Sequence, residues 1–117
     1  MNSNEFPADY VERLLKSAGT FLARWKGAPG QMWQLTISLK TLQIVLGNPV
    51  GENLVISCMA PIFIRGPVRW DNSNLKIAFE PRPGISGKRF IVADESLGLE
   101  IIGENLEVRE HVKLVKV

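Results

Sequence analysis

The chain has 117 residues, 45% of them apolar and 22% charged, with a net charge of +2. That length closes one core without staples, and the composition is globular and not disordered. The single cysteine, Cys58, excludes an internal disulfide or a multi-cysteine zinc site, and so small a net charge does not by itself point to nucleic acid.

A lone cysteine fits a reducing compartment. No basic opening followed by an apolar run marks a secretory signal, and no stretch approaches the roughly 18 apolar residues of a membrane span. A soluble cytoplasmic protein with no membrane partner is expected, folded as a single domain over 1–117.

Residues 7–25 read as an amphipathic helix. Val11, Leu14, Leu15, Ala18, Phe21, Leu22 and Trp25 recur at the spacing that lines one face. Pro7 suits the first turn, and the Lys26-Gly-Ala-Pro-Gly30 stretch stops the helix. Leu15, Phe21 and Leu22 are expected to be buried.

Residues 32–117 read as sheet. Trp33, Leu35, Ile37 and Leu39 alternate with polar residues, and then Leu42, Ile44 and Leu46 take the opposite parity. One strand with a β-bulge near Lys40-Thr41 accounts for the switch. A helix also fits Leu35, Leu39, Leu42 and Leu46, but the β-branched residues favour extension. Leu54–Met59 is apolar on both sides, as a central strand is.

Residues 62–70 alternate through Ile62, Ile64, Val68 and Trp70, which are expected to continue a core face, with Pro67 marking an edge or a bend. Leu75–Glu80 alternates, residues 81–87 form a loop, and Lys88–Ala93 and Leu97–Ile102 follow as strands. Gly103-Glu104-Asn105 repeats the turn signal of Gly51-Glu52-Asn53 before a final segment, 106–117, in which Glu110 breaks the apolar set and predicts a kink, a bulge or an edge. Seven to eight short, mostly antiparallel strands after one helix predict a sandwich or a partly closed barrel.

Function is less legible. Arg65 and Arg69 share the polar parity with Phe63, and Arg82, Lys88 and Arg89 lie in or beside the 82–89 loop. Together they form the one candidate anion-binding set. Ordinary strand arginines, solvated or stacked on Phe63, explain the same pattern. Arg65 and Arg69, with Asp94-Glu95-Ser96-Leu97-Gly98, resemble the Arg-x-x-x-Arg and Asp-x-Ser-x-x-Gly signatures of the cyclic-dinucleotide-binding PilZ family. The second stretch is one residue short and the arginines lie mid-chain, so no family is assigned.

Residues 61–92 carry six Lys/Arg against two acids, and residues 93–110 carry six acids against Arg109. Cross-strand pairing explains such blocks, and so does a complementary surface on a partner or second copy. The only histidine, His111, has no nucleophile or orienting carboxylate at a suggestive spacing, and Cys58 sits in the most apolar strand. A non-catalytic chain without cofactor or metal is expected, acting through protein contacts. The alternatives are a binder of single-stranded nucleic acid or another polyanion, and a binder of a small apolar ligand between helix and sheet. The terminal segment is expected at a sheet edge, where it or the acidic face would make a two-fold dimer.

Overall fold

The computed structural model of the protein describes residues 8–35, 41–47, 51–81 and 88–113. Helix α1 (Ala8–Arg24) precedes strands β1 (Gly30–Leu35), β2 (Thr41–Gly47), β3 (Glu52–Arg65), β4 (Arg69–Trp70), β5 (Lys76–Pro81), β6 (Lys88–Asp94) and β7 (Leu99–Lys113). All paired strands are antiparallel, in the order β4-β1-β2-β3-β7-β6-β5.

The outermost strands, β4 and β5, are consecutive in sequence and joined by residues 71–75. Six residue steps span about 20 Å at most, so the sheet must curl until its edges approach. Side chains and backbone of the connector hold that seam without a ladder. Gly27 N donates to Ser73 O at 2.7 Å, Ser73 Oγ donates to Ala28 O at 2.6 Å, and Asn74 N donates to the Asp94 carboxylate at 2.7 Å. The result is a mostly antiparallel β sheet, curled but not closed as in a sandwich or a partly open barrel, with one N-terminal helix.

Inside it, Leu42, Ile44 and Leu46 meet Leu54, Ile56 and Cys58, with Phe90, Val92, Leu99, Ile101 and Leu106 completing the core. In β3, Val55 and Ser57 on the opposite parity are also buried, as its unbroken apolar run predicts. Helix α1 lies closest to β5 and inserts Leu22 into the core, while Leu14, Leu15, Phe21 and Trp25 pack against it half-buried. The expected full burial therefore holds for Leu22 and not for Leu15 or Phe21, which flank the contact.

The end of the helix is tied down by Glu110. Its carboxylate accepts from Arg24 Nε at 3.1 Å and Arg24 Nη2 at 2.5 Å, and from Trp25 Nε1 at 2.9 Å. Glu110 reaches inward because β7 carries an extra residue there. Asn53 faces Val112 and Val55 faces Arg109, so three steps on β7 oppose two on β3, and His111 takes φ 60°. This is the bulge that Glu110 predicts. Trp25 lies against Gly47, whose φ is +122° and where a Cβ would fall 2.8 Å from the indole.

Three expectations are corrected. The parity switch between Leu35 and Leu42 is a chain reversal, not a bulge: β1 and β2 are a hairpin pair with Leu35 opposite Leu42. A bulge does occur in β1, between Met32 and Gln34. Gly103-Glu104-Asn105 is not a turn but lies within the fifteen-residue β7. And β7 is not an outer strand, because it sits between β3 and β6. Its many apolar positions reflect that interior place. Pro7, the 36–40 and 82–87 stretches and the last four residues lie outside the described residues.

Two measurements test this packing. Leu22→Ala removes a side chain buried to 7% exposure and should cost about 2–5 kcal/mol; an unmoved denaturation midpoint would mean the helix is not docked. The second uses pH. Arg24, mainly through its hydrogen bond, and Trp25 hold the Glu110 carboxyl below its ordinary range, against the opposing pull of desolvation. A depressed carboxyl stabilises the fold above its unfolded value, about 4.3, and loses that contribution as pH falls through the folded value. Glu110→Gln should therefore melt lower than the unaltered protein at neutral pH, with the two curves converging in acid. Parallel curves across the range would show that the clamp carries no pH-dependent stability.

Candidate functional site

Ile62, Phe63 and Ile64, near the end of β3, are the most exposed apolar segment of the described chain. Beyond Ala60, which has φ 53°, the ladder steps from Pro61–Gly103 to Phe63–Ile102, so Ile62 is an extra residue. The strand continues past Met59, its last residue paired with β2. Gly66 then turns the chain at φ +135°, so close to Leu99 that a Cβ would lie 2.8 Å from the Leu99 Cα.

Ile62, Phe63, Ile64 and Val68 consequently stand 55%, 42%, 40% and 65% exposed, while Trp70 is buried and donates from Nε1 to Ser73 Oγ at 2.7 Å. The expected core face over Ile62, Ile64 and Val68 is thus wrong; only Trp70 belongs to the core. The bulge shifts the alternation, and no strand in the described ladder lies beside β3 past Met59 except β7.

Phe63 and Arg65 share a face two residues apart, and the Arg65 guanidinium lies 5.9 Å from the ring centroid. Arg65 also faces Glu100 across the ladder, with an ion pair at 3.4 Å. Arg69 is on β4, opposite Gln31, past the Gly66-Pro67 break. Arg89 is on β6 opposite Glu80. Arg65 and Arg89 are two strands and four residues apart in the register, about 16 Å by ordinary sheet spacing. The two arginines are therefore not neighbours in the sheet. Lys88 begins β6, and Arg82 lies outside the described residues.

A groove of 310 Å³ beside Arg65 is also lined by Asp94, Glu95, Gly98 and Glu100. Those carboxylates oppose a bound anion. The structure thus brings Arg65 and Phe63 together, separates Arg89 from them, and supplies Arg65 with an acidic neighbour.

The histidine and the cysteine lie apart along the β3–β7 ladder, and His111 meets a carboxylate instead. His111 Nδ1 lies 2.9 Å from a Glu52 carboxylate oxygen, both exposed. Cys58 is buried at 1% exposure. Among the described residues no three His, Cys, Asp or Glu side chains form a metal-binding group, and no helix is long and apolar enough to cross a membrane. Asp94 is engaged structurally: it accepts from Ser96 N at 3.1 Å and Ser96 Oγ at 2.7 Å, opening the 3₁₀ turn Glu95–Leu97.

The exposure of the aliphatic residues at 62–68 is hidden in the sequence, because simple alternation does not survive a bulge. Phe63 makes 62–64 apolar on both parities, the same pattern that marks the buried Leu54–Met59, so the pattern does not separate the two. Comparison with family models, curated proteins and solved structures finds no match.

Burial pushes the Cys58 thiol up to about 12, so almost no thiolate exists at neutral or mildly alkaline pH. A disulfide exchange reagent should leave the folded protein unmodified and react stoichiometrically once denaturant is added; rapid labelling of the native protein would contradict this burial.

Proposed function

We propose that the protein is a small, non-catalytic, cytoplasmic assembly module that acts through protein contacts at the β3–β4 bend. The observation that carries this is the run of exposed apolar side chains, Ile62, Phe63, Ile64 and Val68. Exposed apolar side chains rimmed by charge are common at association surfaces, where aromatic and arginine residues are enriched. Here Arg65 and Arg69 are the rim. The partner is a second copy of the chain: the same segment, met across a two-fold axis, offers matching apolar side chains and complementary strand-edge groups.

A second reading, binding of single-stranded nucleic acid, draws on the exposed Phe63 beside Arg65. A stacking ring and cations are the elements of such a surface. It is the weaker one, because the single ring is already shared with Arg65 and carboxylates flank that arginine.

Sedimentation at tens of micromolar and moderate salt separates them. The unaltered chain should run above the 13.0 kDa monomer mass, and Phe63→Asp with Val68→Asp should return it to monomer with its melting temperature little changed, since both sites are exposed. A single monomeric species for the unaltered chain overturns the assembly proposal. Binding of an unstructured oligothymidylate by that monomer would favour the second reading. Arg65→Gln with Arg69→Gln should then reduce the slope of log affinity against log salt by about 0.7 for each phosphate no longer neutralised.

A further inference from the structure

A groove of about 420 Å³ runs between the C-terminal half of α1 and the start of β5, away from the β3–β4 bend. Gly19, Leu22 and Ala23 form one wall at the i, i+3, i+4 spacing of a helix stripe, continued by Lys26 in the turn after α1. Leu75, Lys76 and Ile77 form the other. Leu22 and Leu75 are buried to 7% and 6% exposure and Ile77 is half-buried, so they make an apolar floor. Lys26 and Lys76 are exposed, and no acid lines the groove among the described residues.

Gly19 is the unusual member. Glycine within a helix costs about 1 kcal/mol relative to alanine, and a close neighbour often explains it. Beyond its chain neighbours and the backbone of its own helix, no atom lies within 4 Å of where a Cβ on Gly19 would stand. The protein's own packing leaves that space empty on the wall of the groove.

We propose that this groove binds an anionic amphiphile, a medium-chain carboxylate. The alkyl chain covers Leu22, Leu75 and Ile77 and passes over Gly19, and the carboxylate is held by Lys26 and Lys76. The charge pattern selects the head group: two lysines make no ion pair within the described residues, and an anion between them meets no opposing carboxylate in the lining. The size selects a small ligand. The wall from Gly19 to Lys26, which lies two residues past the end of α1, is about 10 Å long at roughly 1.5 Å per residue, too short to seat a partner helix. The volume falls in the usual range of about 300–1,000 Å³ for small-molecule sites.

Calorimetric titration with decanoate below its micelle concentration, paired with backbone amide NMR, tests the site. Decanoate should bind saturably at one site per chain and shift the amides of 19–26 and 74–77. Lys26→Gln with Lys76→Gln should weaken it at least tenfold, and 1-decanol should bind the unaltered chain correspondingly less well. Gly19→Leu fills the groove with a better helix former, so its melting temperature should hold or rise while decanoate binding is lost. Absence of saturable decanoate binding to the unaltered protein overturns the proposal. So does binding that survives Gly19→Leu in a folded protein, or that is the same for decanoate and decanol. Phe63→Asp with Val68→Asp should leave decanoate binding unchanged, which keeps this site's test separate from that of the assembly surface.

Discussion

The antiparallel ladder between β3 and β7 is the constraint on which the rest of the molecule depends. It joins strands of fourteen and fifteen residues, Glu52–Arg65 and Leu99–Lys113, whereas the neighbours on either side cover only part of it. Strand β2 runs beside β3 from Asn53 to Met59, and β6 runs beside β7 from Leu99 to Gly103. The two halves of the sheet are therefore offset along the shared ladder. Each long strand carries one extra residue, Ile62 in β3 and one at Glu110-His111 in β7. Bulges bend a strand and increase its twist, and those two bends accompany the curl that brings β4 and β5 within reach of the 71–75 connector.

The same two irregularities also decide what each end of the ladder presents. At the β7 bulge, Glu110 turns toward α1 and accepts three hydrogen bonds from Arg24 and Trp25, so a local insertion fixes the helix across 85 residues of sequence. At the β3 bulge, the alternation slips beyond the end of β2, and apolar residues that would otherwise extend the core emerge into solvent. One irregularity docks an element and the other exposes a surface.

Much of this architecture is legible in the sequence, because it rests on periodicity. The helical stripe of Val11 to Trp25, the doubly apolar Leu54–Met59 and the alternation of Leu75–Glu80 each report a local pattern that burial enforces. What is not legible is non-local. The reversal between Leu35 and Leu42 looks like a bulge until the strands are known to pair, and Gly103-Glu104-Asn105 looks like a turn until β3 is placed opposite. There Gly103 leaves room for Met59 O, which would lie 3.1 Å from a Cβ. The candidate site is the least legible part. Arg65 and Arg89 share a charge block in sequence, yet the register gives Arg65 to Glu100 and sets Arg89 opposite Glu80. Among the described residues the Arg65–Glu100 ion pair joins the basic block to the acidic one, while Glu80 and Arg89 both lie within the basic block.

An exposed apolar strand end is ordinarily a route to uncontrolled association, and the residues around this one limit it. Pro61 and Pro67 bracket Ile62–Arg65 and have no backbone N–H to donate, so a neighbour pairing there finds only a short run of complete donors and acceptors between them. Gly66 bends the chain away immediately afterwards, with Leu99 packed beneath it. Arg65 and Arg69 place like charges at the rim, which penalises apposition in most registers. A short segment bounded in this way favours a closed two-fold contact over open-ended stacking, because a second strand that satisfies it leaves no free run of the same edge for a third. The exposed residues and their prolines are therefore better understood together: the first supply the affinity of the proposed contact, and the second set where it stops.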